Sequence, residues 1–142
     1  MPLRTKLSTR AVNAEVSALT ALLDGGYLEI YAGLQPTSAD DAILRQPRLA
    51  TLRFGEPAFG PPTSGVVRAY PIAKEADAAA TGTATWFRLY RRGHEPGRDE
   101  PDLRVLDGSV GTLGANLNLT SVEIQVHAEV SVDEFMLTAS QV

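Results

Sequence analysis

From residue 27 onward, glycine, proline and acidic turn residues cut the chain into short stretches in which apolar and polar side chains alternate. A period of two sends successive side chains to opposite faces of an extended strand, so each stretch has one face to bury and must pair with others to bury it. In Tyr27-Leu28-Glu29-Ile30-Tyr31-Ala32, Leu28, Ile30 and Ala32 share one face, and Tyr27, Glu29 and Tyr31 the other. Residues 49–54 repeat the pattern with Ala50, Leu52 and Phe54. Residues 66–70 follow, and Pro71 marks an edge position or the end of pairing. Residues 83–90 form a strand rich in aromatic and β-branched residues, with 103–106 as its antiparallel return. Leu117 and Leu119 share a face, Val122 and Ile124 come next, and the last strand spans 129–138. In that strand Val130 and Val132 are in one phase and Phe135 and Leu137 in the other. An extra residue near Asp133-Glu134, a β-bulge, restores a single buried face. Several short strands with turns between them predict a mainly β chain, an antiparallel β-sandwich or jelly roll over residues 27–142.

The one helical period lies before this, at residues 8–24. Val12, Val16, Leu19 and Leu23 fall on one face, Ser8 or Thr9 is placed to cap the first amides, and Gly25-Gly26 ends the run. So narrow a stripe predicts packing on a sheet edge or on a partner instead of formation of the core. Three irregular stretches separate the elements. Residues 35–41 are a loop by their turn chemistry, and residues 55–65 hold three prolines and three glycines. Residues 91–102, almost wholly charged or turn-forming, predict a protruding hairpin tip. No internal repeat or low-complexity tract is visible.

At 142 residues, 44% of them hydrophobic and 21% charged, the chain suits one domain that buries roughly two-thirds of its unfolded surface without covalent staples. The absence of cysteine excludes disulfides, thiolate metal sites and a cysteine nucleophile. The formal charge of −4 argues against direct nucleic-acid binding. Locally the balance differs: the first fourteen residues carry Arg4, Lys6 and Arg10 and no acid. Residues 1–10 therefore read either as a solvated terminus or as a basic arm that docks onto an acidic neighbouring subunit. No signal peptide is apparent, and no apolar run approaches the roughly 20 residues that a bilayer requires, so a soluble chain made in the cytosol, with no membrane partner, is expected.

His94 and His127 share no metal-ligand spacing, and each is expected to be structural or solvated. Residues 108–114 are glycine-rich but lack the lysine and hydroxyl ending of a phosphate loop, so they read as a β-connection. Ser109 lies in no nucleophile elbow. The carboxylates at Asp40-Asp41 and Asp99-Glu100 read as solvated loops. Asn118-Leu119-Thr120 matches a glycosylation acceptor by coincidence in a strand. Either Trp86 or Phe87 must face the core, tryptophan by default, while Trp86, Tyr90 and Tyr70 could instead form a sugar-stacking platform. The expectation is a chain that is not an enzyme and takes no cofactor or metal.

Several strings occur together: Ala50-Thr51-Leu52-Arg53-Phe54-Gly55 with Ala58-Phe59-Gly60, Ala80-Thr81-Gly82-Thr83-Ala84-Thr85-Trp86-Phe87-Arg88, Leu106-Asp107-Gly108-Ser109-Val110-Gly111, Asn116-Leu117-Asn118-Leu119 and Val130-Ser131-Val132. As a set, over residues 27–138, they resemble small virion structural proteins of tailed bacteriophages and prophages. The resemblance implies a capsid decoration or cement protein on the virion surface, assembled in the host cytoplasm and bridging neighbouring major capsid subunits. The alternative it leaves open is a tail- or fibre-associated β-module, with a glycan contact conceivable. Residues 91–102 stand where the family pattern has a short turn, and the pattern supplies no catalytic residues. Self-association as a dimer or trimer is the further expectation. The residues expected to touch partners are Arg4, Lys6 and Arg10 in the arm and Arg91, Arg92 and Arg98 in the charged tip.

Overall fold

The computed structural model describes residues 6–139. The helix α1 (Thr9–Ala21) opens the fold, and Ser8 caps it by accepting a hydrogen bond from the Ala11 N–H at 3.1 Å. Nine strands follow: β1 (Tyr27–Tyr31), β2 (Arg48–Arg53), β3 (Val66–Arg68), β4 (Gly82–Thr83), β5 (Trp86–Tyr90), β6 (Arg104–Gly111), β7 (Leu117–Leu119), β8 (Glu123–Ile124) and β9 (Val132–Thr138). Among the described residues, seven of them form one sheet in the order β2-β1-β5-β6-β7-β9-β3, while β4 and β8 pair separately. The sheet curls, and an antiparallel bridge from Arg53 to Ala73 draws its two ends together. The architecture is thus mainly β and sandwich-like, with one N-terminal helix.

Inside the curl lies one apolar core. Leu28 and Ile30 of β1 face Leu52 and Ala50 of β2 on one side and Leu89 and Phe87 of β5 on the other. Phe54, Phe59, Phe87 and Phe135 form an aromatic cluster, with the Phe87 and Phe135 rings edge to face at 5.1 Å. The bulge expected in the last strand is present. Asn118 pairs with Glu134 and Leu119 with Val132, so Asp133 is skipped and Phe135 and Leu137 turn inward with Leu117 and Leu119. The α1 stripe does more than predicted. It packs against the edge strand β3, and Val16 and Leu23 also join the core.

Three details depart from the sequence reading. The stretch 83–90 is divided, because Gly82-Thr83 pairs with β8 before the chain enters the main sheet at Trp86. The glycine-rich stretch from Gly108 is largely strand, since β6 runs on to Gly111. One pairing, β6 with β7, is parallel, through Val110–Leu117 and Gly111–Asn118. In the 112–116 connection Asn116 Oδ1 accepts from the Ser109 N–H at 3.2 Å.

Candidate functional site

The strands β1 and β5 carry a second face, opposite the core, made of Tyr27, Glu29 and Tyr31 beside Trp86, Arg88 and Tyr90. A lone sheet face of this kind would stand in water, yet Glu29, Trp86, Arg88 and Tyr90 are all fully buried. Buried charge is tolerated only where partners replace the lost water, so the face needs a polar lid. Residues 91–102 supply it. The predicted protruding tip is instead folded back over the sheet: the Gly97 N–H donates to Glu29 Oε1 at 2.9 Å, and His94 is buried with its ring stacked on Tyr90 at 3.8 Å. The charge in this segment matches charge on the strands beneath it.

Two carboxylates organise the network. Asp107 holds Arg88 through two parallel bonds of 2.6 and 2.9 Å. Asp99 takes both a bidentate pair from Arg104, at 2.8 and 2.6 Å, and a 3.2 Å bond from Arg88. The Tyr90 hydroxyl and the Ile43 N–H also donate to Asp99, each at 2.9 Å. Glu29 accepts from the Tyr31 hydroxyl at 2.8 Å and from the Thr51 hydroxyl at 2.9 Å. The His94 nitrogens lie 3.4 Å from Glu29 and 2.8 Å from Glu100, but neither contact has hydrogen-bond alignment, and the buried Trp86 Nε1 also lacks a partner. Trp86 is stacked on Tyr31 at 4.4 Å, with the Arg88 guanidinium 5.6 Å from its ring. The core position that tryptophan was expected to take belongs to Phe87. With Trp86 and Tyr90 both buried, a sugar-stacking platform with Tyr70 is ruled out.

Burial by itself raises the pKa of both acids, yet both end below their ordinary values. For Glu29 the bonds from the Gly97 N–H and the Tyr31 and Thr51 hydroxyls outweigh burial. For Asp99 the bonds from Arg104, Ile43 and Tyr90 do so. A carboxyl depressed in the folded state stabilises that state above its unfolded pKa, and the contribution is lost as pH falls through the folded value. The ordinary values here are 4.5 for Glu29 and 3.8 for Asp99, so the loss begins near pH 4 and continues below it. Urea unfolding midpoints should therefore be level from pH 7 to 5 and fall steeply below 4, and Asp99→Asn should flatten the acid limb. An unchanged acid limb in Asp99→Asn would show that Asp99 is not the coupled group.

Chemically the arrangement is a lock. Its carboxylates are committed to arginines, hydroxyls and N–H groups, and its arginines to carboxylates. Among the described residues no group of three His, Asp or Glu side chains is placed to hold a metal ion, and no helix is long and apolar enough to cross a membrane. His127 is exposed in a turn, 2.7 Å from Asp77.

The predicted partner-contact residues that are described do not form one patch. Arg4 lies outside the described residues. Lys6 and Arg10 are exposed at the start of α1. Arg91 and Arg92 line a shallow groove at the far end of that helix with Leu22, Asp24 and Glu56, and Arg92 is ion-paired with Glu56. Arg98 is exposed on the lid and bonded to Glu95 at 2.9 Å. A surface absent from the sequence reading lies in the loop between β1 and β2. Leu34 and Leu44 are 83% and 85% exposed, side by side, and line two shallow grooves of about 340 and 390 Å³. The available signal was a pair of leucines in a stretch otherwise rich in turn residues. Comparison of the chain with protein-family models, curated proteins and solved structures found no match in any of them.

Proposed function

We propose that the protein is a non-enzymatic structural subunit of a virion, a capsid decoration or cement protein that bridges neighbouring major capsid subunits. The observation that carries the reading is a contrast: Glu29, Arg88 and His94 are sealed in the lock between lid and sheet, while two leucines stand exposed on a braced loop. A chain built this way acts by contact. The resemblance of its strings to small phage virion proteins supports the setting. Cementing requires complementary surface at subunit junctions, and repetition over a symmetric shell makes a modest contact effective.

The test is quantitative mass spectrometry of purified particles from a host carrying the corresponding phage or prophage. The expected result is a copy number comparable with that of the major capsid protein. A much smaller number, typical of tail parts, would favour the tail- or fibre-associated module instead, and absence from particles would refute both.

A further inference from the structure

The exposed leucines are held in place. The Gln46 side chain donates to the Leu34 carbonyl at 2.8 Å and accepts from the Leu44 and Arg45 N–H groups at 3.0 and 3.1 Å. The Thr85 hydroxyl ties down the Gly33 carbonyl at 2.6 Å, and Asp41 accepts from the Ser38 N–H at 3.1 Å. A loop braced in this way presents its apolar side chains at little ordering cost to binding. The larger groove runs between Leu34, Pro36, Asp41, Ala42 and Leu44, with no cation in its lining, and exposed Asp40 adjoins it, while Arg45 lines the smaller groove on the other side of the leucines. Its occupant should therefore pair apolar side chains with positive charge.

The chain itself contains such a segment. Residues 3–10 hold Leu3 and Leu7 with Arg4, Lys6 and Arg10 and no acid. Residues 6–10, which lead into α1, and the groove lie at opposite ends of the strands. Tyr31, Trp86 and Ser109 align at one end of the sheet, and the groove lies just beyond Tyr31. At the other end β3 starts beside the finish of β9, through Val66–Thr138, and there the Asn13 side chain of α1 accepts from the Gly65 N–H at 2.8 Å. We propose that residues 3–10 of one copy dock in the Leu34–Leu44 groove of the next, leucine on leucine, with the cations towards Asp40 and Asp41. Donor and acceptor surfaces differ, so the contact is head to tail and closes into a ring or runs on as a filament. The proposal rests on the reading of the chain as a subunit that acts by contact, but it needs no capsid.

The test uses the full chain in solution. Wild type should show concentration-dependent sedimentation to species larger than a dimer. Lys6→Glu/Arg10→Glu in the arm and Leu34→Ser/Leu44→Ser in the groove should each weaken association by roughly tenfold or more, as loss of a central contact does. All four substituted positions are exposed or lie outside the strands and helix core, so circular dichroism should be unchanged. Mixing the two variants is the decisive step, because the arm variant keeps its groove and the groove variant its arm. The mixture should give a one-to-one dimer that grows no further. A wild type that is monomeric or stops at a dimer, variants that associate normally, or a mixture that stays monomeric would each overturn the proposal. A monomeric protein still found on particles would leave the capsid reading standing.

Discussion

Replacing Arg88 with methionine should lower folding stability by about 3–5 kcal/mol, the usual cost of removing one partner from a buried ion pair. The guanidinium is fully buried and links the sheet to its lid through Asp107 beside it on β6 and Asp99 in the lid. Methionine keeps much of the side-chain volume, so the loss is mainly electrostatic. Asp107, whose side chain is only 5% exposed, would keep its burial and lose its cation, while Asp99 would retain Arg104. The expected order of damage is therefore Arg88→Met well above Arg98→Ala, because the Arg98–Glu95 pair is exposed and should matter little. Urea unfolding of the two variants beside wild type measures this. Equal stability of Arg88→Met and wild type would mean that the network contributes no net stabilisation to the fold.

The same network shows why parts of this protein could be read from sequence and others could not. Strands β1 and β2, the α1 stripe and the bulge at Asp133 depend on the local period of apolar side chains, which a window of a few residues displays. The polar face depends on partners far apart in the chain: Glu29 meets the Gly97 N–H across 68 residues, and Asp99 meets that of Ile43 across 56. Locally, the charges of residues 91–102 suit a solvated tip, and only the sheet beneath them reveals that Asp99 pairs with Arg88 and that the Gly97 N–H serves Glu29. One signal was available. Trp-Phe-Arg-Leu-Tyr in β5 sets Arg88 on one face between two large aromatic side chains, and the register sets Glu29 directly opposite that arginine. The exposed leucines were hidden for the opposite reason, since nothing in a loop's sequence tells whether an apolar side chain turns in or out.

Substituting alanine at Gly108 should be the most damaging one-carbon change in the sheet. Gly108 sits directly across from Phe87 in the β5–β6 ladder, and a methyl group there would lie 2.4, 2.6 and 2.8 Å from three carbons of the phenyl ring. The ring cannot simply retreat, because the Phe135 ring stands edge-on against it at 5.1 Å within the aromatic cluster. Overpacking of this kind costs about 1–3 kcal/mol, and the absence of slack around Phe87 places Gly108→Ala at the upper end. The reading is tested by coupling. Phe87→Leu alone should destabilise by removing ring contacts, whereas in the Gly108→Ala background it should cost less, since the shorter side chain makes room for the methyl group. Sub-additive losses in a double-mutant cycle of urea midpoints are the expected result. Strict additivity, or a Gly108→Ala variant as stable as wild type, would show that the strands separate at this point and that the close fit of Phe87 on Gly108 does not limit the core.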